Sequence, residues 1–153
     1  MYFDHSATTP VHPEVQSLIN ITQSTIYGNP SSIHFQGKRA RLIIEKAREK
    51  IANSINTTPD KIIFTSGGTE ANNHVLWSML GQNRNHVVSN VIEHPAIIKV
   101  LQLLKNFGID HSLIKVDKKG LIDLNELEDK INKKTGLISI MLANNEIGTI
   151  QPV

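Results

Sequence analysis

Apolar positions along the chain change period several times, and the changes mark out its elements. Val15, Leu18, Ile19 and Thr22 recur at helical spacing and predict a short helix over 13–24, opened by Pro13. Turn chemistry flanks it, with Thr8-Thr9-Pro10 before and Gly28-Asn29-Pro30-Ser31-Ser32 after. The strongest periodic signal comes next, where Ala40, Ile43, Ile44, Ala47, Ile51 and Ile55 share one helical face. Past Thr58-Pro59-Asp60 the pattern becomes short apolar runs alternating with helical ones. Strands are predicted over 62–65, 86–90, 112–116 and 137–142, about 25 residues apart, a spacing that suits strand-helix-strand crossovers. The intervening helices are predicted over 69–80, 95–107 and 124–132. Gly108 closes the second, and Asp123 with Glu126 forms a capping box for the third. This alternation predicts an α/β fold with a largely parallel sheet and flanking helices. No repeat or linker divides the chain, so the expected organisation is an N-terminal arm over 1–36 and a partial α/β domain over 37–153.

Composition narrows the function classes. With 16 Lys plus Arg against 14 Asp plus Glu, interspersed, there is no basic face to favour nucleic acid. No apolar stretch reaches the roughly 20 residues of a membrane span, and the first residues lack a signal-peptide pattern, so the expected address is cytoplasmic. The absence of cysteine excludes a disulfide framework, a thiolate metal site and a sulfur nucleophile from this chain. None of the seven histidines lies four residues from another or in a matched acidic cluster, so no metal site is expected.

Ligands of open parallel sheets sit beyond the carboxyl ends of the strands, so candidate ligand groups belong to the segment after each predicted strand. Ser66-Gly67-Gly68-Thr69 lies where a predicted strand gives way to a helix. Free backbone N–H groups and the positive end of a helix dipole there suit an anion, and Thr69 adds a hydroxyl. The segment has neither the lysine ending of a nucleotide P-loop nor the glycine spacing of a dinucleotide fingerprint, so a phosphate on a smaller cofactor fits better. An ordinary glycine turn capping a helix gives the same pattern. His94 precedes Pro95 at another helix start, where an imidazole can stack on a flat heteroaromatic ring or exchange protons, or simply satisfy a loop. Asn144-Asn145-Glu146 ends the last strand. An amide there can bind a ligand oxygen, or the pair can anchor its own loop. Asp117-Lys118-Lys119-Gly120 reads as a tight turn, and its lysines as solvated charges.

Taken in order, these segments join a larger pattern. Tyr2-Phe3-Asp4-His5-Ser6-Ala7-Thr8-Thr9-Pro10, Gly28-Asn29-Pro30-Ser31-Ser32-Ile33-His34, Phe64-Thr65-Ser66-Gly67-Gly68-Thr69-Glu70-Ala71-Asn72-Asn73, Glu93-His94, Gly120-Leu121-Ile122-Asp123 and Asn144-Asn145-Glu146-Ile147-Gly148 span nearly the whole chain. In this order and spacing they resemble the amino-terminal half of the cysteine desulfurases, pyridoxal 5'-phosphate enzymes of the class V aminotransferase group with the fold type I architecture. The resemblance implies that Gly68 and Thr69 contact the cofactor phosphate. It implies that His94 stacks on the pyridine ring and helps move protons, and that Asn145 lies near the ring oxygen and the substrate. It also implies that the loop over 28–34 borders the active site. His5 stands where most relatives carry Asn or Tyr.

The same resemblance implies L-cysteine as substrate, alanine and an enzyme persulfide as products, a sulfur-acceptor protein as partner, and a homodimer. The family's pyridine-pairing aspartate, Schiff-base lysine and mobile cysteine belong to a later part of the polypeptide, and none of them matches a residue here. The chain is therefore expected to be inactive alone and to complete its site with a carboxyl-terminal half. Two other readings are a non-catalytic remnant or interaction module, and a segment of a related class V enzyme such as a selenocysteine lyase. An incomplete sheet should leave a strand edge and apolar helix faces uncovered, so the isolated chain is expected to be marginal, oligomeric or prone to aggregate.

Overall fold

The computed structural model describes residues 1–153 and divides into two compact units, Met1–Phe64 and Thr65–Val153. The boundary expected from sequence, between 36 and 37, falls in the first turn of a long helix inside the first unit.

The first unit carries α1 (Pro13–Thr25) and α2 (Phe35–Ser54), joined by the Gly28–Ser32 turn region. Pro13 opens α1, where its missing N–H costs nothing. None of the α1 side chains is buried: Val15, Leu18, Ile19 and Ile21 all face solvent. In α2 the predicted face is only partly used, since Ala40 is buried whereas Ile43, Ile51 and Ile55 are exposed, and the fully buried Ala52 lies off that face. His34 caps α2, its Nδ1 accepting from Gly37 N at 3.3 Å. Gly37 is required where it stands, because a Cβ would lie 2.5 Å from Ser32 O.

The second unit is the α/β layer. Three strands, β1 (His86–Asn90), β2 (Asp110–Ile114) and β3 (Thr135–Ile138), form a wholly parallel sheet in the order β2-β1-β3. The central β1 is buried along its full length, which is why its run Val87-Val88 does not alternate with polar residues. Val87 points to one face, where it packs with Leu76 of α3 (Gly68–Trp77) and with Ile97, Leu101 and Leu104 of α4 (Pro95–Leu104). Val88 points to the other, packing with Ile114, Ile122 and Leu127 of α5 (Leu124–Lys130). Helices on both faces of a parallel sheet confirm the α/β reading.

The fourth predicted strand, over 62–65, is not one. Ile62 has extended backbone angles, but no strand lies beside it. Its N–H bonds back to Pro59 O and its carbonyl accepts from Arg48, whose guanidinium also lies 4.9 Å from the Phe64 ring centre. An apolar run becomes a strand only when a neighbour takes its N–H and C=O groups, and here local partners take them. The other two shifts are small. Strand β2 begins two residues before the predicted 112–116. Strand β3 covers 135–138 rather than 137–142, because the residues beyond it turn toward a side-chain carboxylate. The segment after β2 is the predicted tight turn: Val116 pairs antiparallel with Ile122, Asp117 Oδ1 accepts from Lys119 N and Leu121 N, and Gly120 takes φ +81°. Buried Gln151 ties this turn down by accepting from Ile122 N and donating to Gly120 O.

The core of the second unit should depend on Leu101, which is fully buried beside Val87. Leu101→Ala is expected to lower stability by about 2–5 kcal/mol, and Leu103→Ala, at an exposed position of the same helix, by no more than about 0.5 kcal/mol. Trp77 is the one tryptophan and packs against this core, so its fluorescence during urea denaturation reports both.

Candidate active site

Parallel pairing on both sides of β1 places the three carboxyl ends on one edge, and the loops carrying His94 and Asn145 leave from that edge. Helix α3 runs the opposite way. Just past its end, the Met79 methyl packs so closely on the start of β3 that a Cβ at Gly136 would lie 2.7 Å from it. Near its beginning, Asn72 borders the same cavity as Ser139, Ile140 and Met141 beyond β3. Its amino end therefore lies at the carboxyl edge of the sheet, with Gly68 about one helical turn beyond Asn72.

That amino end is open. Gly67 contributes no capping side chain, and the first intrahelical bond runs from Ala71 N to Gly67 O. The amides of Gly68, Thr69 and Glu70 are left with no acceptor in the chain. A Cβ at Gly67 or Gly68 would meet nothing within 4 Å, so the backbone is approachable from outside. The Thr69 hydroxyl makes no hydrogen bond. Glu70, the one carboxylate nearby, is turned back: its Oε2 accepts from Ser66 N and Ser66 Oγ, each at 2.7 Å. These bonds, the hydroxyl first, hold the Glu70 carboxyl below its ordinary range.

His94 is the N-cap of α4. Its Nδ1 accepts from Ala96 N at 3.1 Å, so in the neutral ring the proton sits on Nε2. The exposed ring lines two neighbouring cavities. One, of about 290 Å³, is shared with Ile92, Pro95, Asn144, Asn145, Glu146 and Ile147; the other, of about 170 Å³, with Asn72, Ile97 and 139–141. Gly68 and Thr69 border neither cavity, standing one turn further out along α3.

The two asparagines differ in what their amides do. Asn144 is buried. Its Oδ1 accepts from Glu146 N and Ile147 N, and its Nδ2 donates to Ile92 O at 3.0 Å. Asn145 is exposed on the cavity wall with its amide uncommitted, free to meet a ligand. No group of three or more metal-binding side chains exists in the chain.

Two lining residues carried no expected role. Asn72 has a sequence signal, since it stands three residues after Thr69 and so shares its helical face. Glu93 enters the sequence pattern only as part of the Glu93-His94 segment, and a carboxylate between Ile92 and His94 does not look buried, yet it is, and both cavities touch it. Burial pushes its carboxyl above the ordinary range, although bonds from Met141 N and Asn90 and the nearby His94 work in the opposite direction.

The chain matches the family model described as Aminotransferase class-V across residues 1–153. Over its full length it is 42% identical to a cysteine desulfurase IscS of Dictyoglomus turgidum and 40% identical to a mitochondrial cysteine desulfurase of Saccharomyces cerevisiae. It covers 40% and 32% of those two proteins, respectively. Among solved structures it superposes on a NifS-like protein with a TM-score of 0.93 at 38% identity, covering 99% of this chain and 43% of that one. A second, described as SspA in complex with cysteine, gives 0.89 at 34% identity, covering 99% of this chain and 44% of that one.

The cap predicts that His94→Ala costs about 1 kcal/mol while His94→Asn keeps most of it, and ¹⁵N NMR of the imidazole should find the neutral ring in the Nε2–H tautomer. The depressed Glu70 carboxyl stabilises the fold above its ordinary value of 4.5, and that contribution disappears as pH falls through the lower folded value. Glu70→Gln should therefore be less stable than the parent at pH 7, with the difference closing on acidification in urea melts.

An α/β unit with these loops on one edge, matched along its entire length by the family model, belongs to the class V aminotransferase family and corresponds to an amino-terminal portion of its cysteine desulfurase members.

Proposed function

We propose that this chain supplies the cofactor-phosphate and ring-facing part of a pyridoxal 5'-phosphate-dependent cysteine desulfurase site. The observation that carries this reading is the open amino end of α3 standing at the same sheet edge as His94 and Asn145. Three backbone amides without acceptors, the positive end of a helix and a free hydroxyl suit a phosphate. The empty space around Gly67 and Gly68 lets the phosphate reach those amides.

When bound, pyridoxal phosphate supplies an electron sink for bond breaking in an amino acid. The residues of this chain bind, orient and hold protons around it. Gly68 and Thr69 hold the phosphate. His94 presents a ring face, and because Nδ1 is occupied by the helix cap, only Nε2 is available to hold or pass a proton. Asn145 offers an amide that can donate to a ring or substrate oxygen. L-Cysteine as substrate is supported by the cysteine desulfurase relatives and by the structural relative described in complex with cysteine. The 153 residues contain no cysteine, so the thiol that accepts sulfur is assigned to polypeptide outside them; the family resemblance, which matches the Schiff-base lysine to no lysine here, assigns that residue there too. A homodimer, delivery to a sulfur-acceptor protein and a cytoplasmic location complete the proposal; no helix is long and apolar enough to cross a membrane.

Gly68→Asp separates binding from folding. A carboxylate in the first turn favours the helix dipole and leaves stability unchanged or higher. Against a bound phosphate its like charge would oppose binding by roughly 1–4 kcal/mol. Titration followed by pyridoxal phosphate absorbance should show affinity falling about tenfold, in line with that range, while the melting curve holds. Equal affinity in the variant contradicts the assignment of the phosphate to α3.

A further inference from the structure

The cavity-lining residues His94 and Asn145 sit on different loops, and two buried side chains join those loops. Glu93 Oε1 accepts from Asn90 Nδ2 at 2.7 Å and also from Met141 N, linking the end of β1 to the segment that leaves β3. Asn90 itself turns the chain by accepting from Ile92 N at 2.9 Å. Asn144 Nδ2 returns the link by donating to Ile92 O. Asn90 is fully buried, and Glu93 and Asn144 are each 9% exposed, so these bonds work in surroundings poor in water, where they are stronger and their loss costs more. The bond to Met141 N also ends the ladder of β3, since that amide meets a carboxylate instead of a neighbouring strand.

We propose that Glu93 is a positioning residue of the cofactor site, holding the turn that carries His94 in register with the segment that carries Asn145. The inference rests on the cofactor reading and adds to it. Glu93 acts through His94, with its carboxylate spanning two donors on separate elements. Glutamine keeps an oxygen that can accept from both. Aspartate keeps the charge but is one methylene shorter and cannot span them. Charge and reach are therefore separable.

The test titrates the 153-residue chain with pyridoxal phosphate and, separately, with inorganic phosphate, for the parent and for Glu93→Ala, Glu93→Asp, Glu93→Gln, His94→Ala and the Glu93→Ala/His94→Ala double variant. Glu93→Ala and Glu93→Asp should each weaken pyridoxal phosphate binding about tenfold, as for coupled neighbours. Glu93→Gln should stay within about twofold, and the double variant should be no weaker than His94→Ala alone. Inorganic phosphate, which samples α3 without the ring, should bind all six alike. Circular dichroism identifies any variant that fails to fold; if Glu93→Ala does, Glu93→Asp carries the test. Parent-like binding by Glu93→Asp, or additive losses in the double variant, overturns the positioning role while leaving the cofactor site intact. If pyridoxal phosphate binds the parent no better than inorganic phosphate and His94→Ala changes nothing, the cofactor reading fails and the inference falls with it.

Discussion

Both neighbours of β1 run parallel to it, and the placement of every candidate site group stems from that constraint. Parallel pairing collects the ends of β1, β2 and β3 on one edge, and each helix that packs back across a face must begin at that edge. The loops after β1 and β3 emerge there with His94 and Asn145, and α3 and α4 start there, α3 with its unpaired amides. An antiparallel partner would have sent one of these loops to the far end. The buried, doubly apolar β1 is what fixes the arrangement, since both of its faces are committed to core: α3 and α4 on the side of Val87, α5 on the side of Val88.

The two helix starts at this edge show how the same local problem is solved with different consequences. At α4 the orphan amide of Ala96 is satisfied by the His94 imidazole, which fixes the ring and takes one nitrogen out of proton exchange. At α3 the N-cap is glycine and nothing in the chain satisfies the amides. Unmet donors at an exposed helix start normally turn to water, at little cost to the fold, and they become useful when an anion replaces that water. The Asn144-Asn145 pair shows the same division, one amide spent on the loop and its neighbour uncommitted on the cavity wall.

Much of this was legible in the sequence. Pro13, Pro95, Asp123 and Gly108 mark helix ends by chemistry that acts within a few residues, and the structure places helix boundaries close to them. Strand 62–65 failed because pairing is a property of two segments, and no local pattern reports whether the second is present. The residue types at the site could be read from turn chemistry and from family likeness. The buried network of Asn90, Glu93 and Asn144 could not, because polar residues beside an exposed histidine give no sign that they are enclosed. Their role depends on contacts about fifty residues apart, such as Met141 with Glu93.

The central claim is that α3, His94 and Asn145 serve one ligand. Its most direct test is an NMR titration of the ¹⁵N-labelled chain with pyridoxal phosphate. The account predicts that the amides of Gly68, Thr69 and Glu70, the His94 ring and the Asn145 side chain shift together along one saturation curve. Separate curves for α3 and for the His94–Asn145 cavity, or shifts confined to one of them, would contradict it.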